Sequence, residues 1–315
     1  MDGSMSFSGR AGIGGRSRQG IHAKDNLTAY LFLTPWLIGL FVFTVGPILV
    51  SAYLSFTNYD LLTSPEFNGL FNYTRLLTRD NRFAAAVSVT ARYVLISVPL
   101  QLVFALFVAG ILNRGLAGLS YYRAIYYLPS LLGGSVAIAI LWKQVFGLEG
   151  LFNQFLGFAG IQGISWIGTP STALYTLMAL RVWQFGSPML IFLAGLKQIP
   201  QELYEAAEID GARSISKFFR ITLPLLTPIV FFNLIMQMIS AFQAFTPAFI
   251  ISGGGGGPAD SVLFYTLYLY QQGFSNFRMG YASAMAWILL VIIGVFTAVA
   301  FLSSRYWVYY EDEAR

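Results

Sequence analysis

The chain has no cysteine and a single histidine, His22, within 315 residues. Disulfides and thiolate metal sites are therefore excluded, and so are most zinc and imidazole-based catalytic schemes. Charge is also scarce: 10% of residues are Asp, Glu, Lys or Arg, against about 25% in a soluble domain. No G-x-x-x-x-G-K-[ST] stretch occurs, and Gly12-Ile13-Gly14-Gly15 imitates one without a preceding strand. The five glycines Gly253 to Gly257, followed by Pro258, lack the lysine and helix start of a phosphate loop and read as a flexible turn. No pair of carboxylates falls inside a long apolar run, so a buried proton relay has no carriers. The net charge of +5 comes from basic residues scattered among loops, not from a stripe suited to nucleic acid. Neither ATP hydrolysis nor simple proton coupling is encoded here.

What the chain has in abundance is apolar sequence, 56% of its residues. A helix needs about 20 such residues to cross a bilayer core. Six stretches qualify: Ala29–Phe56, Phe83–Leu112, Ala124–Val145, Thr172–Leu196, Leu223–Phe249 and Tyr281–Leu302. Pro35, Pro47, Pro99, Pro188 and Pro228 lie in or near them and predict kinks. Arg10, Arg16, Arg18, Lys24, Arg114, Arg123, Lys197, Arg213, Lys217, Arg220, Arg305 and Arg315 fall on one side. Only Arg75, Arg79, Arg82 and Arg278 fall on the other, which places both termini in the cytoplasm. Residues 1–25 read as a mobile cytoplasmic tail, 26–305 as the six-span domain and 306–315 as a second cytoplasmic tail. Trp and Tyr near span ends suit the membrane interface.

One polar segment stands out between spans four and five, within residues 197–220. Pro200 and Gln201 start a short helix, with Glu202 at its positive end. Leu203, Ala206, Ala207 and Asp210 recur at helical spacing on one face, and Gly211 stops the helix. From Ser214 to Arg220 a second amphipathic turn follows, with Phe218 and Phe219 able to pack while Lys217 and Arg220 face headgroups. As physics alone, an ordinary surface connection and a docking element explain these residues equally well.

Within the spans, Asn233, Gln237, Ser240 and Ala244 recur on one face of an otherwise apolar helix, with Gln243 beside them. Such a face meets protein or a cavity, because unpaired amides are costly in hydrocarbon. It serves either as interhelical hydrogen-bond glue or as a surface for a hydroxyl-rich ligand. Span four adds Arg181, Gln184 and Ser187 at i, i+3 and i+6. Arg181 suits an anionic group, the cavity wall or the interface, and no acidic partner lies within the spans.

Gln198-Ile199-Pro200-Gln201-Glu202-Leu203-Tyr204-Glu205-Ala206-Ala207, Asp210-Gly211-Ala212 and Phe218 through Leu226 together resemble the EAA motif of binding-protein-dependent ABC importer permeases. Leu33-Thr34-Pro35, Ser55-Phe56-Thr57, Tyr126-Tyr127-Leu128-Pro129, Phe192 through Leu196 and Gly255-Gly256-Gly257-Pro258 are similar to its sugar-importing branch. That branch includes maltose, glycerol-phosphate and oligosaccharide permeases. The glycine run is longer than usual there, and this chain lacks the large extracellular insert of the larger maltose permease.

The resemblance implies an all-α membrane protein with six transmembrane helices in the type I ABC importer permease fold. It implies a carbohydrate cargo in a bacterial or archaeal cell membrane, with Glu205, Ala206, Ala207, Asp210 and Gly211 coupling the chain to an ATPase. Sugar contacts are implied on the span-five face. Implied partners are a second related permease, two cytoplasmic ATPase subunits, an extracytoplasmic solute-binding protein and the lipid bilayer. ATP and magnesium would be bound by the ATPases and no cofactor by this chain. Permeases for amino acids, phosphate or polyamines are the near alternative. A stand-alone channel or secondary carrier is the distant one, and leaves residues 205–211 unexplained.

Overall fold

A computed structural model describes residues 30–115 and 118–309. The tail expected at residues 1–25, and residues 310–315 of the expected C-terminal tail, lie outside the described residues. The chain divides into two units, residues 1–53 and 54–315. Helix α1, Tyr30–Leu54, accounts for the described part of the first unit and ends at its boundary. Within α1, residues Phe41–Val45 form a π-helical turn, and the Gly46 amide reaches back to the Phe41 carbonyl. Pro47 explains the widening. It brings no amide of its own, and its ring crowds the preceding turn.

The second unit begins with a two-residue antiparallel ladder, β1 (Thr57–Asn58) against β2 (Glu66–Phe67). Helix α2 (Phe71–Arg79) follows, and then α3 (Asn81–Leu112). The Asp80 carboxylate caps α3 by accepting from the Phe83 amide at 2.9 Å. Next come α4 (Leu119–Leu132), α5 (Val136–Val145), α6 (Leu151–Phe158), α7 (Pro170–Trp183) and α8 (Gly186–Leu196). Helix α9 (Gln201–Ile209) and the single turn α10 (Ser214–Lys217) lead through a π turn at Phe218–Thr222 into α11 (Leu223–Phe242). Helices α12 (Thr246–Ser252), α13 (Tyr265–Tyr270) and α14 (Met279–Trp307) complete the unit.

The long helix α3 is the axis of this unit, with α7, α8, α11 and α13 packed against it. Val94, Val98, Ala105, Ala109 and Leu112 fill its inner stripe. Leu177, Phe192, Met189, Leu226 and Met285 meet that stripe from the other helices. Leu95, Val103, Phe107, Val291 and Leu302 are exposed. An apolar exterior of this kind is natural where the surroundings are lipid or a second apolar chain.

Among the described residues four helices are long and apolar enough to cross a membrane, and counting each of two bent pairs as one span brings the number to six. The expectation of a continuous third span is corrected: α4 and α5 meet at 95°. Gly133 and Gly134 interrupt the run, and Ser135 caps the new helix by accepting from the Ile138 amide. Span four is likewise two helices, α7 and α8, bent by 42°. Span five reaches beyond its expected ends, as one 39-residue helix from Ser214 to Ser252 with a loosened turn at Gln243–Phe245.

The flexible turn expected at the glycine run is also corrected. Gly253, Gly254, Gly256 and Gly257 all have positive φ, a conformation glycine adopts without a side-chain clash. The turn they make is fastened. Gln271 Nε2 donates to the Gly254 carbonyl at 2.6 Å, the Val262 amide to Gly256, and Arg82 pairs with Asp260 at 2.7 Å. Beyond it, Val262, Leu263, Phe264, Tyr265 and Leu267 are almost wholly buried. Part of the expected outer loop is thus core.

Candidate functional site

Helix α9 is short and polar, and among the described residues its side-chain anchors come from one side. The Tyr204 hydroxyl lies 2.8 Å from Thr222 Oγ1, in the π turn that opens span five. Lys217 Nζ donates to Glu208 at 2.6 Å. Lys217 is thereby committed to Glu208, which corrects the expectation that it faces headgroups. Glu208 stays largely exposed, so the pair is worth about 0–1 kcal/mol and acts mainly to orient the helix. Gln201 and Glu205 are joined one turn apart by a 2.9 Å hydrogen bond.

The helix ends as its sequence indicates. Gly211 has φ +74°, its amide donates to the Glu208 carbonyl, and the Ala212 amide donates to Ala207. These paired bonds form a Schellman cap, which requires the left-handed residue. Glu202, Glu205, Ala206, Ile209 and Asp210 are exposed, whereas Ala207 is half-buried. The two alanines expected on one face therefore have different surroundings. Ile209, 88% exposed at the tip of a polar helix, was missed in the sequence reading. Its place in the final turn, off the face traced through Leu203 and Asp210, was the available signal.

Deep in the helices the two expected polar sets meet at one point. Arg181 is buried, and its guanidinium donates to the Gln237 backbone carbonyl at 2.6 Å and to Gln237 Oε1 at 3.1 Å. Tyr93, from α3, stands beside the same guanidinium. Arg181 thus ties α7 to α11. Asn233 is fully buried and bonds back to the Ile229 carbonyl of its own helix. Gln237 and Ala244 are half-buried, and Ser240 and Gln243 are exposed. The span-five face is therefore graded, from closed core at Asn233 to open surface at Gln243.

Gln184 and Ser187 do not share a helix with Arg181, because α7 ends at Trp183 and α8 starts at Gly186. The i, i+3, i+6 spacing does not describe their geometry. The Gln184 carbonyl instead accepts from Gln101 Nε2 at 2.8 Å and from Ser130 Oγ at 3.0 Å. Ser130 Oγ in turn accepts from the Ser187 amide at 2.9 Å. Gln101 and Ser130 lay outside the expected site, since only contact across helices reveals them.

At the end of α3 marked by Asp80, that residue joins three elements. Besides capping α3, its second carboxylate oxygen accepts from the Tyr268 hydroxyl at 2.7 Å and from Tyr281 at 2.6 Å. Burial pushes its pKa up, but the bonds from Tyr281, Tyr268 and the Phe83 and Arg82 amides outweigh burial and hold it below the ordinary carboxylate value. No group of three or more potential metal ligands occurs among the described residues.

Comparison with known proteins agrees with this architecture. Residues 76–308 match the family described as binding-protein-dependent transport system inner membrane component. A probable ABC transporter permease protein, YesP of Bacillus subtilis, is 55% identical over 92% of this chain and 94% of its own. The trehalose/maltose transport system permease protein MalF of Thermococcus litoralis is 34% identical over 90% of this chain and 95% of its own. Among solved structures, a bacterial ABC transporter involved in alginate import matches with a TM-score of 0.73 at 21% identity, over 92% of this chain and 99% of that one. The same kind of transporter in complex with an alginate pentasaccharide-bound periplasmic protein matches with a TM-score of 0.76 at 20% identity, over 92% and 98%. Bent spans around a long axial helix, with a capped polar helix before span five, thus belong to a known architecture, and this chain is a member of the binding-protein-dependent transport system inner membrane component family: a membrane-embedded permease subunit of an ABC importer, not an enzyme.

Proposed function

We propose that this chain is one permease half of an ATP-driven carbohydrate importer, and that α9 is the element through which the ATPase drives it. The observation that carries this reading is the one-sided anchoring of α9. Tyr204 and Lys217 hold its back to span five, while Glu202, Glu205, Ala206 and Ile209 remain exposed. Glu205 contacts the ATPase, Ala206 and Ala207 allow close approach, and Asp210 with Gly211 makes the bend. A second permease, two ATPase subunits that bind ATP and magnesium, and a solute-binding protein complete the machine. The excess of basic residues on one side supports cytoplasmic termini.

A carbohydrate cargo is supported by the relatives, which include permeases named for trehalose/maltose, lactose and arabinooligosaccharides. Amides and hydroxyls on the open part of the span-five face, Ser240 and Gln243, suit hydroxyl-rich ligands. Arg181, Gln184, Ser187, Asn233, Gln237 and Ala244 form the wall behind them. The test is to purify the complex, reconstitute it and measure ATPase stimulation by binding proteins loaded with a panel of sugars. Stimulation by a carbohydrate-loaded binding protein is expected. Stimulation only by an amino-acid-loaded or phosphate-loaded one overturns the cargo, and a chain that recovers no ATPase overturns the mechanism.

A further inference from the structure

The break in span four has a chemical cause. Pro188 has no amide hydrogen, so the carbonyl four residues earlier, on Gln184, loses its helical donor. A buried carbonyl left unpaired in a membrane is costly. Two side chains from other helices replace that donor: Gln101 Nε2 from α3 and Ser130 Oγ from α4. Ser130 also accepts from the Ser187 amide, so one hydroxyl bridges both sides of the break.

The break in span three is packed against the same place. A Cβ on Gly133 would overlap the Gln184 side chain, and one on Gly186 would overlap the Tyr126 carbonyl and the Tyr127 backbone. The two discontinuities are therefore interlocked. On one side of the joint, α7 carries Arg181 and its bond to Gln237. On the other, α8 runs directly to Pro200 and the start of α9.

We propose that Gln184–Phe185 is the hinge of the transport cycle, and that Gln101 and Ser130 are positioning residues that latch it. With the Gln184 carbonyl satisfied from outside its own helix, α8 can change its angle to α7 without breaking a ladder bond. Motion imposed on α9 is thereby passed to the level of Arg181 as a discrete change of angle. This inference rests on the reading of α9 as the ATPase contact.

The absence of cysteine allows a direct test. Tyr175→Cys and Gln198→Cys place spin labels on exposed positions of α7 and just beyond α8, roughly 30–35 Å apart at 1.5 Å per residue. Distances are measured by pulsed electron resonance in the purified complex in lipid, without nucleotide and with ATP and magnesium under hydrolysis-blocking vanadate. The expected result is a narrow distribution that shifts with nucleotide. With Gln101→Leu and Ser130→Ala combined, it broadens and loses most of its shift. ATP hydrolysis continues within about twofold, while uptake of the sugar found to stimulate the complex falls roughly tenfold, as expected for two lost hydrogen bonds in a coupling element. A distance unmoved by nucleotide in a complex that hydrolyses ATP overturns the hinge alone. A combined variant that shifts and transports like the parent overturns the latch. Failure to recover an ATPase with the chain overturns the reading of α9 and, with it, a nucleotide-driven hinge.

Discussion

Gly211 has no atom within 4 Å of the place where a Cβ would stand, so its backbone angle, not lack of room, keeps a side chain out. Left-handed φ costs an ordinary residue about 1–2 kcal/mol, and proline in addition removes the amide that bonds Glu208. Gly211→Pro is expected to abolish uptake and ATPase stimulation with the amount of protein in the membrane unchanged; normal transport by that variant would sink the role of the cap. Asp80 carries a different kind of prediction. Its folded pKa is depressed, so its contribution to stability is complete above the ordinary carboxylate pKa and is lost as pH falls through the lowered folded value. The purified chain should lose thermal stability on acidification below about pH 4. Asp80→Asn should flatten that dependence, and an unchanged acid profile would contradict the assignment. For Arg181 and Gln237, each truncation to Ala should cost about 1–3 kcal/mol. Their effects on the melting temperature should be non-additive, because either change dissolves the same bond; simple additivity would rule the bond out.

At the scale of elements, the close approach at the α4–α8 crossing makes a sharp demand. Gly186→Val forces a side chain into the Tyr126 and Tyr127 backbone, and such overpacking costs about 1–3 kcal/mol. A lowered melting temperature in detergent is expected, and a neutral outcome would mean the helices are not in this contact. The elements also show how far a sequence can be read. Helix α9 and its glycine stop were legible because they depend on local rules, a first-turn acid and a left-handed cap. The 95° turn in span three was not, because a continuous apolar run looks alike whether or not it bends. Gly133-Gly134-Ser135 was the overlooked mark. The buried segment around Leu263 to Leu267 was hidden for another reason: it follows a glycine run, and contacts between distant residues fasten it, among them Arg82–Asp260, Gln271–Gly254 and the Tyr265 amide to Thr90 Oγ1. In the candidate site, periodicity marked Asn233, Gln237, Ser240 and Ala244 as candidates. Gln101 and Ser130 were not, since the group they serve is a backbone carbonyl on another helix.

For the whole molecule, the chain holds apolar helices long enough to cross a membrane and a polar helix with an exposed side, and its sequence contains no phosphate loop. Under the proposed function its drive enters from a partner ATPase. On the same reading the exposed side of α9 is where that partner meets it, and a single added cysteine can report the meeting in a chain that has none. The most direct measurement is cross-linking from Ala206→Cys in the purified complex, with Leu62→Cys, exposed in the loop between β1 and β2, as the control. The account predicts that Ala206→Cys cross-links to the ATPase subunit, with a yield that changes on adding ATP, and that Leu62→Cys does not. Equal yields from the two positions, or none from Ala206→Cys in a complex that hydrolyses ATP, would contradict it.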